Sequence, residues 1–129
     1  MTITLLYGGV LAILYLLLSG RVARLRGKYH VGIGDGGEDE LAKAIRVHGN
    51  FAEFVPILVV LIALIEGSGA PDWAIHAMGA ALVVCRLAHI VGLSQSIGVS
   101  AGRFIGAAGT FLLLGICGIW GILIGLGVV

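Results

Sequence analysis

Charge is what this sequence has least of. Only 12% of its 129 residues are Asp, Glu, Lys or Arg, about half the quarter that a soluble domain carries. A water-soluble fold of this length needs a large polar exterior, and the chain has too little to build one. Cysteine is nearly absent. With only Cys85 and Cys117, each inside an apolar run, a disulfide scaffold is excluded, and both read as reduced, buried, small hydrophobes. The net charge of +1 makes no case for a nucleic-acid partner. What the chain has in excess is apolar sequence: 59% of it is hydrophobic and the mean hydropathy is +1.10. That excludes disorder and points to a lipid bilayer as its surroundings.

Crossing ~30 Å of hydrocarbon at ~1.5 Å per residue takes about 20 helical residues. Ile3 to Ser19 is uncharged. Ala44 to Ile65 is apolar apart from Arg46, His48, Asn50 and Glu53. Trp73 to Leu93 has only Arg86, His76 and His89 as ionisable groups, and Phe104 to Val129 has none. These runs predict an all-α, integral membrane four-helix bundle, a single domain over 1–129 with spans of about 3–20, 41–65, 73–94 and 102–127. The first run lacks a basic n-region, and its positive charges follow it, so it reads as a retained span and not a cleaved signal.

Arg21, Arg24, Arg26 and Lys28 follow the first span, whereas the second connection, Glu66 to Asp72, carries only acids. The positive-inside rule then places both termini outside the cytoplasm, with the connections around 21–40 and 94–103 within it. In the first connection, Gly32, Gly34 and Gly37 match G-x-G-x-x-G by accident, since no strand precedes them. The segment reads as a flexible turn ending in a helix start, with Asp35 and Glu38 at capping-box spacing and Glu38, Asp39 and Glu40 at the positive end of a helix dipole.

Of the 22 glycines, Gly102, Gly106 and Gly109 form one stripe on the last span and Gly118, Gly121 and Gly125 another. Small residues at this spacing let membrane helices approach closely. One stripe suits a neighbour in the same chain and the other a second subunit.

An ionisable side chain at membrane depth costs about 2.5–3.5 kcal/mol on insertion scales and needs a reason. Arg46, Asn50 and Glu53 are spaced i, i+4, i+7, within about 60° of one another on a helix. A fork of donors, an amide and an anion on one stripe can grip a zwitterion, cation to carboxylate and anion to ammonium. Pro56 has no N–H to return to the carbonyl of Ala52, which loosens the helix beside Glu53. The competing reading is an internal network in which Arg46 and Glu53 satisfy each other and Arg86. As the only opposite charges deep in different spans, Arg86 and Glu53 are expected to pair.

The run Arg46-Val-His-Gly-Asn50-Phe-Ala-Glu53-Phe54-Val-Pro56 resembles the R-x-x-x-N-x-x-E-[YF]-x-P signature of the MAPEG superfamily, membrane-associated proteins in eicosanoid and glutathione metabolism. Span count, length, the basic end of the first helix and R-x-x-H-x-x-G at Arg86, His89 and Gly92 extend the likeness over the whole chain, most closely to the small bacterial branch. The resemblance implies a homotrimer in a bacterial inner membrane, with glutathione as co-substrate bound between subunits near the cytoplasmic side. Arg46, Asn50 and Glu53 would hold its backbone, Arg21 or Arg24 would meet a carboxylate, and Arg86 and His89 would line the pocket. The chain departs from the pattern at Phe54, His89 and Leu93, where transferase members often carry tyrosine.

A glutathione thiol is a weak nucleophile until its thiolate is stabilised. Arg103, just after a possible N-cap at Ser100, is the candidate catalytic cation; a positive-inside anchor is its alternative role. No histidine has a second ligand at metal spacing, so no metal is expected. The resulting expectation is a glutathione-dependent transferase or peroxidase acting on hydrophobic electrophiles or lipid hydroperoxides. A non-catalytic lipid-binding or scaffold protein of the same fold is the alternative. A small proton-coupled transporter ranks behind both, because the first span has no acid.

Overall fold

The computed structural model describes residues 1–95 and 101–128. Four helices follow one another: α1 Thr2–Tyr29, α2 Asp39–Gly67, α3 Asp72–Gln95 and α4 Ala101–Gly125. Each is long and apolar enough to cross a membrane. The candidate N-cap Ser100 lies outside the described residues, as does the side chain of Leu93.

Bonds from Ile3 to Glu66, His48 to Ser19 and Lys28 to Glu40 run α2 antiparallel to α1 along its whole length. Tyr7 meets His76 near the first turns of α1 and α3, and Cys117 meets Met78 where α4 returns along α3. The chain therefore goes up, down, up and down. Helices α2 and α3 touch each other and both flanking helices, whereas α1 and α4 do not meet among the described residues. Every Lys and Arg falls in one half of this bundle, and the charged side chains at the far end are Glu66 and Asp72.

Burial follows a seven-residue repeat. Thr4, Leu11, Leu18 and Leu25 are the buried residues of α1, and Ala44, Phe51, Leu58 and Ile65 recur at the same interval on α2. A sustained heptad keeps one seam facing the neighbouring helix. Large side chains such as Leu16 and Leu17 on α1, and Phe104, Leu112 and Ile119 on α4, face outward. In water they would be a liability, but lipid or a second subunit covers them at no cost.

The first helix is longer than its apolar run. Instead of ending near residue 20, it continues through the basic residues to Tyr29. Leu25, 3% exposed, packs there on Leu41 and Ala44, with Val22 and Tyr29 alongside. The helix stops at His30, which takes a left-handed φ of 56° and returns its N–H to the carbonyl of Arg26. The loop beyond is tied down, unlike the flexible turn expected. Arg26 Nη1 donates to the carbonyls of Val31, Gly32 and Gly34 at 3.3, 3.1 and 3.0 Å. Gly36 has φ 62°, and a Cβ there would stand 2.5 Å from a Val31 methyl, so only glycine fits.

The expected capping box is not formed. Glu38 is the N-cap of α2 and makes no side-chain cap bond, while Asp35 Oδ1 accepts the N–H of Gly37 inside the turn. The reason is local: an Asx turn satisfies Asp35 two residues on, before the helix begins. The start of α1 is capped from elsewhere. Glu66 accepts the N–H groups of Ile3 and Thr4 at 3.0 and 2.8 Å, and the terminal ammonium lies 3.5 Å away.

The two glycine stripes of α4 part company. Gly102, Gly106 and Gly109 lie against α3, where a Cβ on Gly106 would meet the Cys85 carbonyl oxygen at 2.6 Å. Gly118 and Gly125 have nothing within 4 Å, and Gly121 only a Leu61 methyl at 4.0 Å.

Candidate functional site

Two of the three stripe residues face out and one faces in. Arg46 Nη1 and Glu53 Oε1 pair at 3.1 Å on the outer surface of α2, with their side chains 57% and 48% exposed. Asn50, half-buried between them in sequence, turns toward the interior, where its Oδ1 accepts from Arg86 Nη1 at 2.8 Å. A spread of about 60° around the helix axis is enough to carry one member across the rim of the bundle.

Beside Arg46 and Glu53 lies a cleft of about 440 Å³, walled by Ala42, Ile45 and Gly49 and closed on one side by Gly34 and Asp35. The loop held by Arg26 thus forms part of the site. An apolar groove of about 540 Å³ runs between α1 and α2, bounded by Leu11, Tyr15, Phe51, Ala52, Pro56 and Val59. The two share α2, since Ala52 lines the groove and the adjacent Glu53 lines the cleft. At the head of the groove Tyr15 stacks on His48, with ring centroids 4.8 Å apart. The Ser19 hydroxyl donates to the Tyr15 carbonyl, so His48 Nε2 must donate to Ser19 Oγ at 3.1 Å.

Arg86 is the deepest cation, at 1% exposure. Glu53 is not its partner. The ion pair expected between α2 and α3 is replaced by neutral acceptors: Asn50 Oδ1, the Gly106 carbonyl at 3.1 Å and the hydroxyl of Thr110. The reason is geometric, since Glu53 lies outward on α2 within reach of Arg46 and Asn50 lies inward. Thr110 also donates to the Gly106 carbonyl at 2.7 Å, which closes the network. Burying a guanidinium is tolerable only when its donors find acceptors; both terminal nitrogens are engaged here, and Nε has no partner among the described residues.

The remaining predicted residues lie around this centre. His89, 6% exposed, donates Nδ1–H to the carbonyl of Arg103 at 3.3 Å, linking α3 to the first turn of α4. Arg103 and Arg21 are half-buried and Arg24 is exposed. Arg21 is within electrostatic reach of Glu40. Within one chain none of Arg21, Arg24, Arg86, His89 or Arg103 lines the Arg46–Glu53 cleft, and Asn50, turned inward, stands behind its wall. Phe54, where a phenol was a family alternative, packs edge-on against Phe111 with centroids 5.4 Å apart.

Sequence reasoning missed Thr110 and the Gly106 carbonyl as Arg86 acceptors. One signal was present: Thr110 is the sole hydroxyl residue of the last apolar run, one turn beyond a glycine. Arg26 was likewise read as one positive charge among several, and its grip on the loop leaves no mark in composition.

Two comparisons with known proteins bear on this chain. It is 43% identical over 90 residues, 70% of this chain and 69% of the relative, to Inner membrane protein YecN of Escherichia coli K12. The protein of the same name from Escherichia coli O6:H1 strain CFT073 is equally similar. The family model described as MAPEG family matches residues 4–123, which takes in all four helices and the Arg46–Asn50–Glu53 stripe. A match of that extent, on a multi-pass helical bundle of this kind, means that the chain belongs to the MAPEG family.

Proposed function

We propose that this protein is a membrane glutathione-dependent transferase or peroxidase whose second substrate is a hydrophobic electrophile or lipid hydroperoxide. The observation that carries the reading is the accessible Arg46–Glu53 pair, set beside a 440 Å³ cleft on the same helix that borders an apolar groove. A zwitterionic peptide exchanges the internal ion pair for two of its own, carboxylate to Arg46 and ammonium to Glu53. Asn50 adds an amide contact between them. The apolar partner enters laterally from lipid along the α1/α2 groove.

In this reading the chains assemble as a homotrimer, whose neighbours cover the outward faces of α1 and α4 and bring Arg103 and Arg21 or Arg24 to the bound peptide. Arg103 holds the sulfur as thiolate, which lowers the barrier to attack. In the transferase reaction the thiolate forms a C–S bond with the electrophilic carbon, and the displaced group leaves with the electron pair. In the peroxidase reaction the thiolate attacks the peroxide oxygen, and a second glutathione completes the disulfide as alcohol and water are released. The basic end of the bundle faces the cytoplasm and both termini lie outside it, in an inner membrane such as the one named for YecN.

Calorimetry of detergent-solubilised protein with glutathione tests binding. Asn50→Ala and Glu53→Gln are each expected to weaken it by about tenfold, the worth of one charge-assisted hydrogen bond. Thiolate absorbance on adding glutathione, lost in Arg103→Ala, tests activation. No binding and no thiolate signal would reject the proposal. Phe54 buttressing Phe111 and the enclosed His89 favour a second reading, a non-catalytic lipid-binding member. Lipid copurifying with a protein that has no glutathione affinity would establish that one.

A further inference from the structure

We infer that Arg86 is a positioning residue: it locks the side-chain amide of Asn50 with oxygen inward and NH2 outward, and so makes the site selective for a ligand that presents an acceptor there. The inference rests on the glutathione-site reading above and assigns the polarity of one of its contacts.

Which end of an asparagine amide is oxygen is usually settled only by its neighbours. Here the neighbour is unambiguous, because a guanidinium has donors and no acceptor. The atom 2.8 Å from Arg86 Nη1 must therefore be Asn50 Oδ1. The lock is rigid at its other end too. Arg86 Nη2 donates to the Gly106 carbonyl and the Thr110 hydroxyl, and Thr110 spends its own proton on that carbonyl. Every direction in the chain is thereby fixed, from α4 through α3 to α2. Gly106 permits it, since its missing side chain lets α3 and α4 approach to backbone contact.

Two consequences follow for the site. With its oxygen drawn inward to Arg86, the group Asn50 has to offer a ligand is its NH2, a donor, so beside Arg46 it meets a carboxylate or amide carbonyl. Glu53 is then the sole side-chain acceptor on the stripe, and the ligand's ammonium must lie with it. Arg86 itself, 1% exposed with both terminal nitrogens engaged, acts through Asn50 and not by touching the ligand.

A double-mutant cycle on glutathione affinity separates these roles, using the solubilised full chain with Arg86→Lys, Asn50→Ala and both together. Arg86→Lys keeps a donor-only cation but cannot hold α4 and Asn50 at once. It is expected to weaken binding severalfold in the wild-type background and to add nothing in Asn50→Ala. Additive losses would mean that Arg86 contacts the ligand directly, and would overturn the inference. Asn50→Asp supplies a carboxylate to Arg86 while removing both outward donors. Its melting temperature should hold or rise while affinity falls by more than about tenfold. Wild-type affinity in Asn50→Asp would be equally fatal.

If wild-type protein binds no glutathione, the functional reading fails and the lock is tested by NMR alone. The 15N order parameter of the Asn50 side-chain amide should be high in wild type and fall in Arg86→Gln. Equal mobility in the two would refute the lock.

Discussion

Gly106→Ala puts the fit between α3 and α4 to a quantitative test. A Cβ at this position would stand 2.6 Å from the Cys85 carbonyl oxygen and 2.7 Å from both the amide nitrogen and the Cβ of His89. Two of these three atoms are backbone and cannot rotate aside, so the helices must part. Overpacking of this kind costs about 1–3 kcal/mol. Alanine in place of glycine inside a helix returns about 0.5–1 kcal/mol, leaving a net loss of roughly 0.5–2 kcal/mol. Gly115→Ala is the control, because it sits on the same helix with nothing within 4 Å. It receives the helix-propensity gain alone. The two variants should therefore differ by about 1–3 kcal/mol, or roughly 3–12 °C in thermal midpoint measured in one detergent. Parting the helices also draws the Gly106 carbonyl and Thr110 away from Arg86, so glutathione affinity should fall in Gly106→Ala and not in Gly115→Ala. If Gly106→Ala melts at or above its control, α4 does not pack on α3 as described.

Other perturbations read other parts of the frame. Glu66→Ala removes the acceptor that Ile3 and Thr4 share, so amide exchange at those two residues should accelerate severalfold while that of Leu58 and Leu82 in the core is unchanged. Arg26→Ala frees three loop carbonyls, and limited proteolysis within 31–37 should then run faster than in the wild type. Because that loop closes one side of the cleft, the same variant should also bind glutathione more weakly. A loop that resists protease without Arg26 would show that the three bonds are not what holds it.

Much of the fold is legible in the sequence because the bilayer imposes its own length scale. Four apolar runs of about 20 residues or more can only be four helices, and they are. The first glycine stripe was readable for a related reason: small residues one turn apart in a span mark close backbone approach, and Gly102, Gly106 and Gly109 meet α3. Helix ends were less legible. Apolarity stops near residue 20 but α1 does not, because Leu25 finds Leu41 and Ala44 across the bundle, contacts that no local pattern encodes. The capping box failed through competition, Asp35 being drawn into an Asx turn first.

The sequence by itself determined that the chain lives in lipid as four helices, and which polar residues share a stripe, since hydrocarbon thickness and the helical period leave little freedom in either. It also carried the family, through the spacing of Arg46, Asn50, Glu53 and Pro56. Only the tertiary structure decided that Asn50 turns inward to Arg86 while Arg46 and Glu53 stay outside, and that Glu66 caps a helix distant in sequence. The physical reason is that a helix in lipid is apolar on both its buried and its outer face. Periodicity tells which side chains stand together, but what they stand against is set by the neighbour that packs there.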